Sequence, residues 1–87
     1  MNVYIVRIER SSRFYGNNIC VDRAYTSEEK AWKRIEQQVN ELVNTLKKIN
    51  DVEIWFSEFR GKSFVLAYNT LYGAEYNRYY IDKLSVE

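Results

Sequence analysis

Two glycines, Gly61 and Gly73, interrupt the aromatic C-terminal half of this chain twelve residues apart, as Gly61-Lys62 and Gly73-Ala74. Each pair stands between runs of strand-forming residues, and glycine accepts the positive φ that the first position of a type II′ hairpin turn requires. The spacing predicts strands over Val52 to Arg60, Ser63 to Leu71 and Glu75 to Val86. It also predicts a register. With Gly61-Lys62 as central turn residues, Arg60 opposes Ser63, Phe59 opposes Phe64, Ser57 opposes Leu66 and Trp55 opposes Tyr68. With Gly73-Ala74 in the same role, Tyr68 opposes Tyr79 and Leu66 opposes Ile81.

Upstream, Val3 to Ile8 and Ile19 to Tyr25 are rich in β-branched and aromatic residues, with Ser11 to Asn18 expected as the loop between them. Thr26-Ser27-Glu28-Glu29 reads as a capping box with Thr26 as the cap. Ala31, Ile35, Val39, Leu42, Leu46 and Ile49 then recur at helical spacing, so an amphipathic helix of about 23 residues is expected before Asn50-Asp51. The order is β-β-α-β-β-β in a single domain, residues 1–87. The fold class is α+β, an antiparallel sheet with one long amphipathic helix packed on one face. Whether the first hairpin flanks the third strand or the fifth stays open.

Side chains alternate along a strand, so this register sorts the sheet into two faces. One collects Trp55, Phe59, Phe64, Leu66, Tyr68, Tyr79 and Ile81 and is assigned to the helix. The other holds Val52, Ile54, Phe56, Val65, Ala67, Leu71, Tyr76 and Tyr80 together with Glu58, Asn69, Arg78 and Asp82. Burying those four polar groups beneath a helix without partners would cost several kcal/mol on the order of the desolvation penalties known for such groups, so this face is expected to look outward. One helix, about 10–12 Å wide, cannot cover five strands.

Composition removes several kinds of chemistry. At 87 residues, 46% hydrophobic, the chain has room for one small core and no apolar run of membrane-spanning length. The opening residues enter a strand pattern without a signal peptide's basic and apolar segments, so a cytoplasmic location and no membrane association are expected. There is no histidine, which removes the commonest acid-base group and the usual zinc sites; with Cys20 alone, no internal disulfide forms. No phosphate-binding glycine loop occurs. Neither enzymatic activity, nor a cofactor, nor a metal is expected.

What remains is binding. Tyr, Trp, Phe and Arg are the residue types enriched in interface hot spots, and the outward face offers Phe56, Asn69, Tyr76, Arg78, Tyr80 and Asp82. A non-catalytic protein-interaction module is the first reading, its partner either a target protein or a second copy in a homodimer. The alternative is single-stranded nucleic-acid or nucleotide binding, with sheet aromatics stacking on bases. Arg7, Arg10 and Arg13 would supply the charge, with Arg23 beside them and Tyr15 and Phe14 at the loop tip. Thirteen basic against twelve acidic residues leave a net charge of +1, far from the balance of a domain that grips duplex DNA.

The opening Val3-Tyr4-Ile5-Val6, the Ala24-Tyr25-Thr26-Ser27-Glu28-Glu29-Lys30-Ala31 junction and the closing Tyr79 to Glu87 resemble small accessory proteins of phages and bacteria. Those proteins share a first strand, a Ser-Glu-Glu-Lys-Ala helix start and a tyrosine-rich last strand. The resemblance covers about a quarter of the chain. It implies a compact accessory protein, phage-encoded and acting in the host cytoplasm on a host or defence component.

Overall fold

The computed structural model describes residues 1–12, 16–71 and 73–86. Two strands, β1 (Asn2–Ser12) and β2 (Gly16–Tyr25), precede the helix α1 (Glu28–Lys47), and β3 (Glu53–Arg60), β4 (Ser63–Thr70) and β5 (Gly73–Ser85) follow it. They form one antiparallel sheet in the order β2-β1-β5-β4-β3, so the protein is α+β with the expected element order. The first hairpin flanks the fifth strand: β1 and β5 pair continuously from Asn2 opposite Ser85 to Ser12 opposite Glu75. This arrangement explains the length of the helix. α1 must carry the chain from β2 at one edge to β3 at the other, four strand spacings or about 19 Å apart. Its 20 residues span about 30 Å, enough to cross on the diagonal.

The first hairpin runs further than its polar tip suggests. Ser11 pairs with Asn17 and Ser12 with Gly16, although Ser11 to Asn18 reads as loop. Backbone ladder bonds need no apolar side chain, and β5 supports β1 on its other side as far as Ser12, whose hydroxyl donates to Glu75 at 2.9 Å.

The helix begins one residue later than its capping box suggests. Ser27, with extended backbone, is the N-cap and accepts from the Lys30 backbone N–H at 3.5 Å. Glu29 therefore falls short of the position from which it would return the bond to the cap, though Glu28 and Glu29 still place negative charge at the positive end of the helix. Ser27→Ala is expected to lower stability by about 0.5–1 kcal/mol, seen as a lower urea midpoint with unchanged slope. At the other end Lys48 caps the helix, so Ile49 lies outside the apolar stripe and is exposed. The chain then turns through Asp51, at φ 69°.

The Gly61 bend falls where expected. Arg60 opposes Ser63, and Gly61 alone of the central pair has positive φ, 62°, as the first position of a type II′ turn demands. A bulge between Ile54 and Phe56 then alters the far end of this hairpin. Ile54 takes the place opposite Tyr68 expected for Trp55 and packs on the core, while Trp55 is left 51% exposed. An extra residue in one strand re-aims the side chains beyond it.

The second bend does not lie on its glycine. Thr70 pairs with Gly73, so the chain reverses between them, and Phe64, Leu66 and Tyr68 oppose Tyr79, Asn77 and Glu75. The partners expected for Leu66 and Tyr68 are displaced by four residues. Because four is even, every side chain keeps its face. This register sets Tyr79 between Phe64 and Ile8, at the centre of the buried cluster, because β5 must satisfy β1 and β4 together.

Val6, Ile8, Leu66 and Tyr79 from the sheet and Ala31, Ile35 and Val39 from α1 form the core. The helix lies over β1, β5 and β2. Towards β3 and β4 the cover is thinner: Leu66 and Ile54 join the core, and a chain of edge-to-face rings runs from Trp32 to Phe59 at 5.6 Å and from Phe59 to Phe64 at 5.0 Å. An apolar groove of about 180 Å³ remains there, lined by Trp32, Ile35, Val39, Phe59 and Phe64. A bidentate ion pair, Arg34 to Asp22 at 3.0 and 3.3 Å, ties the helix to β2 and raises the affinity of the guanidinium for its proton.

Burial pushes the phenols of Tyr79 and Tyr68 above their ordinary value of 10.0. Between pH 10 and the higher native values the unfolded chain has lost protons that the folded one keeps, so stability falls as pH rises. The part of the tyrosinate absorbance contributed by Tyr68 and Tyr79 is expected to appear only in a cooperative step that coincides with unfolding. Early, non-cooperative ionisation of all tyrosines would contradict this.

Candidate protein-interaction face

The face turned away from the helix is ordered in cross-strand rows. One row runs Val21, Arg7, Tyr80, with Ser63 paired to Arg60 on the far strands; the next runs Ile19, Glu9, Arg78, Val65, Glu58; a third runs Asn17, Ser11, Tyr76, Ala67, Phe56. Asp82 lies opposite Ile5, and Asn69 lies between Glu53 and Ala74. The structure therefore brings Phe56, Asn69, Tyr76, Arg78, Tyr80 and Asp82 to one surface, on the side predicted. Ile54 is the exception to the predicted outward set, moved to the core side by the bulge.

Arg78 is the hub of this surface. Its guanidinium lies 4.5 Å over the Tyr80 ring, bonds Glu9 at 3.0 Å and reaches the Ser63 hydroxyl at 3.5 Å. Arg60 repeats the pattern, 4.2 Å over the Phe56 ring and 3.1 Å from Glu58. Arg7 forms an ion pair with Asp82. Long planar side chains anchored in this way cover the small residues between them: Val65 is 1% and Ala67 3% exposed with no helix above them. The open face is less apolar than the sequence suggests, since Phe56, Tyr76 and Tyr80 are half-buried by their own neighbours.

Of the residues assigned to nucleic-acid binding, Arg7 and Arg10 are described, and these two are not brought together. Arg7 and Arg10, three apart on one strand, point to opposite faces; Arg10 lines a polar cleft under α1 with Gln38 and Tyr79. Arg7, Arg60 and Arg78 each already hold a carboxylate, so a phosphate would have to displace a bound anion at every one. Arg13, Phe14 and Tyr15 lie outside the described residues.

Two features escape sequence reasoning. Trp55 joins Phe56, Tyr76, Ser11 and Asn17 in lining a shallow outer-face cleft of about 380 Å³, because the bulge turns it from the core. Ile19 and Val21, on the edge strand β2, are exposed on the same side. An unpaired bulge residue carries no periodicity signal, and no local pattern places β2 at an edge of the sheet.

Fold and surface together define a small α+β protein, one helix on an antiparallel sheet whose second face carries an arginine–aromatic–carboxylate lattice. Compared with protein families, curated proteins and solved structures, the chain matches none. Among the described residues no helix is long and apolar enough to cross a membrane, and no three His, Cys, Asp or Glu side chains are grouped as a metal ion would need.

Proposed function

We propose that the protein is a non-catalytic interaction module that docks the face centred on Arg78 and Tyr80 against a protein partner. The observation that carries this reading is the stacking of Arg78 on Tyr80 with Glu9 and Ser63 at its donors. An arginine held in this way has lost its rotamer freedom before binding, so little ordering entropy remains to oppose association. Around it stand half-buried aromatic residues and paired charges. That mixture is the make-up of a hot spot with a polar rim.

A protein partner is favoured over a nucleic acid because the arginines of this face are already neutralised. The likeness to phage accessory proteins fits a modulator that blocks a host or defence component by occupying its surface. The test is affinity capture from the native host with wild-type and Tyr80→Ala protein side by side. A partner retained by the first and lost by the second supports the reading, and equal retention removes this face from it. Titration with single-stranded DNA at two salt concentrations should give no salt-sensitive binding; a steep salt dependence would move the function to nucleic acid.

A further inference from the structure

β2 and β3 are the two edges of the sheet, and an edge strand offers backbone N–H and C=O groups that no neighbour uses. The two edges differ. Both edges contain a bulge, in β2 at Asp22 and Arg23 and in β3 at Trp55, but β3 also carries Glu53, Glu58 and Arg60 along its length, charges that keep another strand away. β2 from Gly16 to Val21 has no charge at all, reading Gly-Asn-Asn-Ile-Cys-Val, and Ile19 and Val21 are each 58% exposed on its outer side.

We infer that β2 pairs antiparallel with β2 of a second copy of this chain, about a two-fold axis at Cys20, joining two sheets into one. The register follows from what each choice places side by side. Centred on Cys20, Ile19 meets Val21 of the second copy in both directions, Asn18 meets Asp22 and Asn17 meets Arg23. Apolar pairs with apolar, carboxamide stands beside carboxylate, and no like charges are opposed. Centring on Val21 would set Ile19 against Arg23, and centring on Ile19 would set Val21 against Asn17. Only the Cys20 register pairs both exposed apolar residues with each other.

The register shift that leaves Asp22 and Arg23 together opposite Val6 limits the seam to its neighbourhood. A seam this short buries less than the roughly 1,200 Å² of a stable interface, so the dimer forms only as concentration rises. The axis stands perpendicular to the sheet, because paired antiparallel residues share a face. Both Arg78–Tyr80 lattices then face the same way. The surface and the occupant differ from those of the proposed docking face, so either can fail without the other.

Light scattering over a concentration series is the test. Wild-type protein should pass from one chain to two as concentration rises, and Ile19→Lys should stay at one chain throughout. That variant keeps its fold because Ile19 is largely exposed on the outer side of an edge strand, where a lysine side chain reaches water. Diamide supplies a second readout by accepting two electrons and two protons as the two Cys20 thiols become one disulfide. Opposed antiparallel residues have Cα atoms about 4.5–5.5 Å apart, within disulfide range. Cross-linking at Cys20 should slow at least tenfold in Ile19→Lys. Wild-type protein that remains one chain at every concentration would overturn the inference. So would a dimer that survives Ile19→Lys and disappears in Tyr80→Ala, which would put the second copy on the sheet face.

Discussion

Arg78→Ala and Tyr80→Ala are each expected to weaken partner binding by about 30-fold or more, the loss of about 2 kcal/mol typical of a hot-spot residue. The two side chains act as one unit, since the guanidinium lies 4.5 Å above the phenol ring. The double variant should therefore lose much less than the product of the single losses. Arg78→Lys should behave nearly as badly as Arg78→Ala, because an ammonium cannot stack on Tyr80 while holding both Glu9 and Ser63. Isothermal titration of the captured partner reads all four variants. Stability should change little, by about 1 kcal/mol, because Glu9 is exposed enough for water to replace the arginine. The cost is not zero, since Val65 loses part of its cover. Normal affinity in the arginine and tyrosine variants would exclude this face as the docking site.

Leu66→Ala is expected to remove about 3–4 kcal/mol, a large part of the 5–15 kcal/mol that holds an average domain together. Leu66 is wholly buried between β3 and β5, on the side where α1 presses Ile35 and Val39 onto the sheet. A helix fixed at both ends cannot settle into the space left behind, so the cavity persists. The midpoint of thermal unfolding should fall by about 12–25 °C in a domain of this size. Val65→Ala makes the contrast. Val65 is buried as fully but on the opposite face, beneath arginine and tyrosine side chains that can lean inward, and it should cost only about 1–2 kcal/mol. Equal losses at the two positions would show that the outer lattice is as rigid as the helix-covered core.

Both predictions depend on which face each residue occupies, and that was readable from the chain because it depends only on parity. Gly61 placed one bend correctly. Gly73 did not, yet the displacement by four residues left Tyr76, Arg78 and Tyr80 outward as expected. Trp55 and Ile54 were misassigned for the same reason in reverse, since a bulge inserts one residue and one is odd. The helix start was legible to within a residue, since Thr26 and Ser27 are both capable caps and only backbone geometry chooses between them. The arginines of the first hairpin looked like a group in the sequence. The alternation of Arg7 and Arg10 along β1, and the Asp82 carboxylate that β5 brings to Arg7, dissolve it for these two.

From the residues alone come the element order, the amphipathic helix, the two-sided sheet and the absence of histidine chemistry, because these rest on short-range periodicity and composition. Strand order, the exact pairing of β4 with β5 and the neutralisation of Arg7 by Asp82 and Arg78 by Glu9 belong to the tertiary structure. Glu9 and Arg78 stand 69 positions apart, and no local pattern encodes which distant strand will arrive alongside. The sheet brings them together only once β5 has settled between β1 and β4.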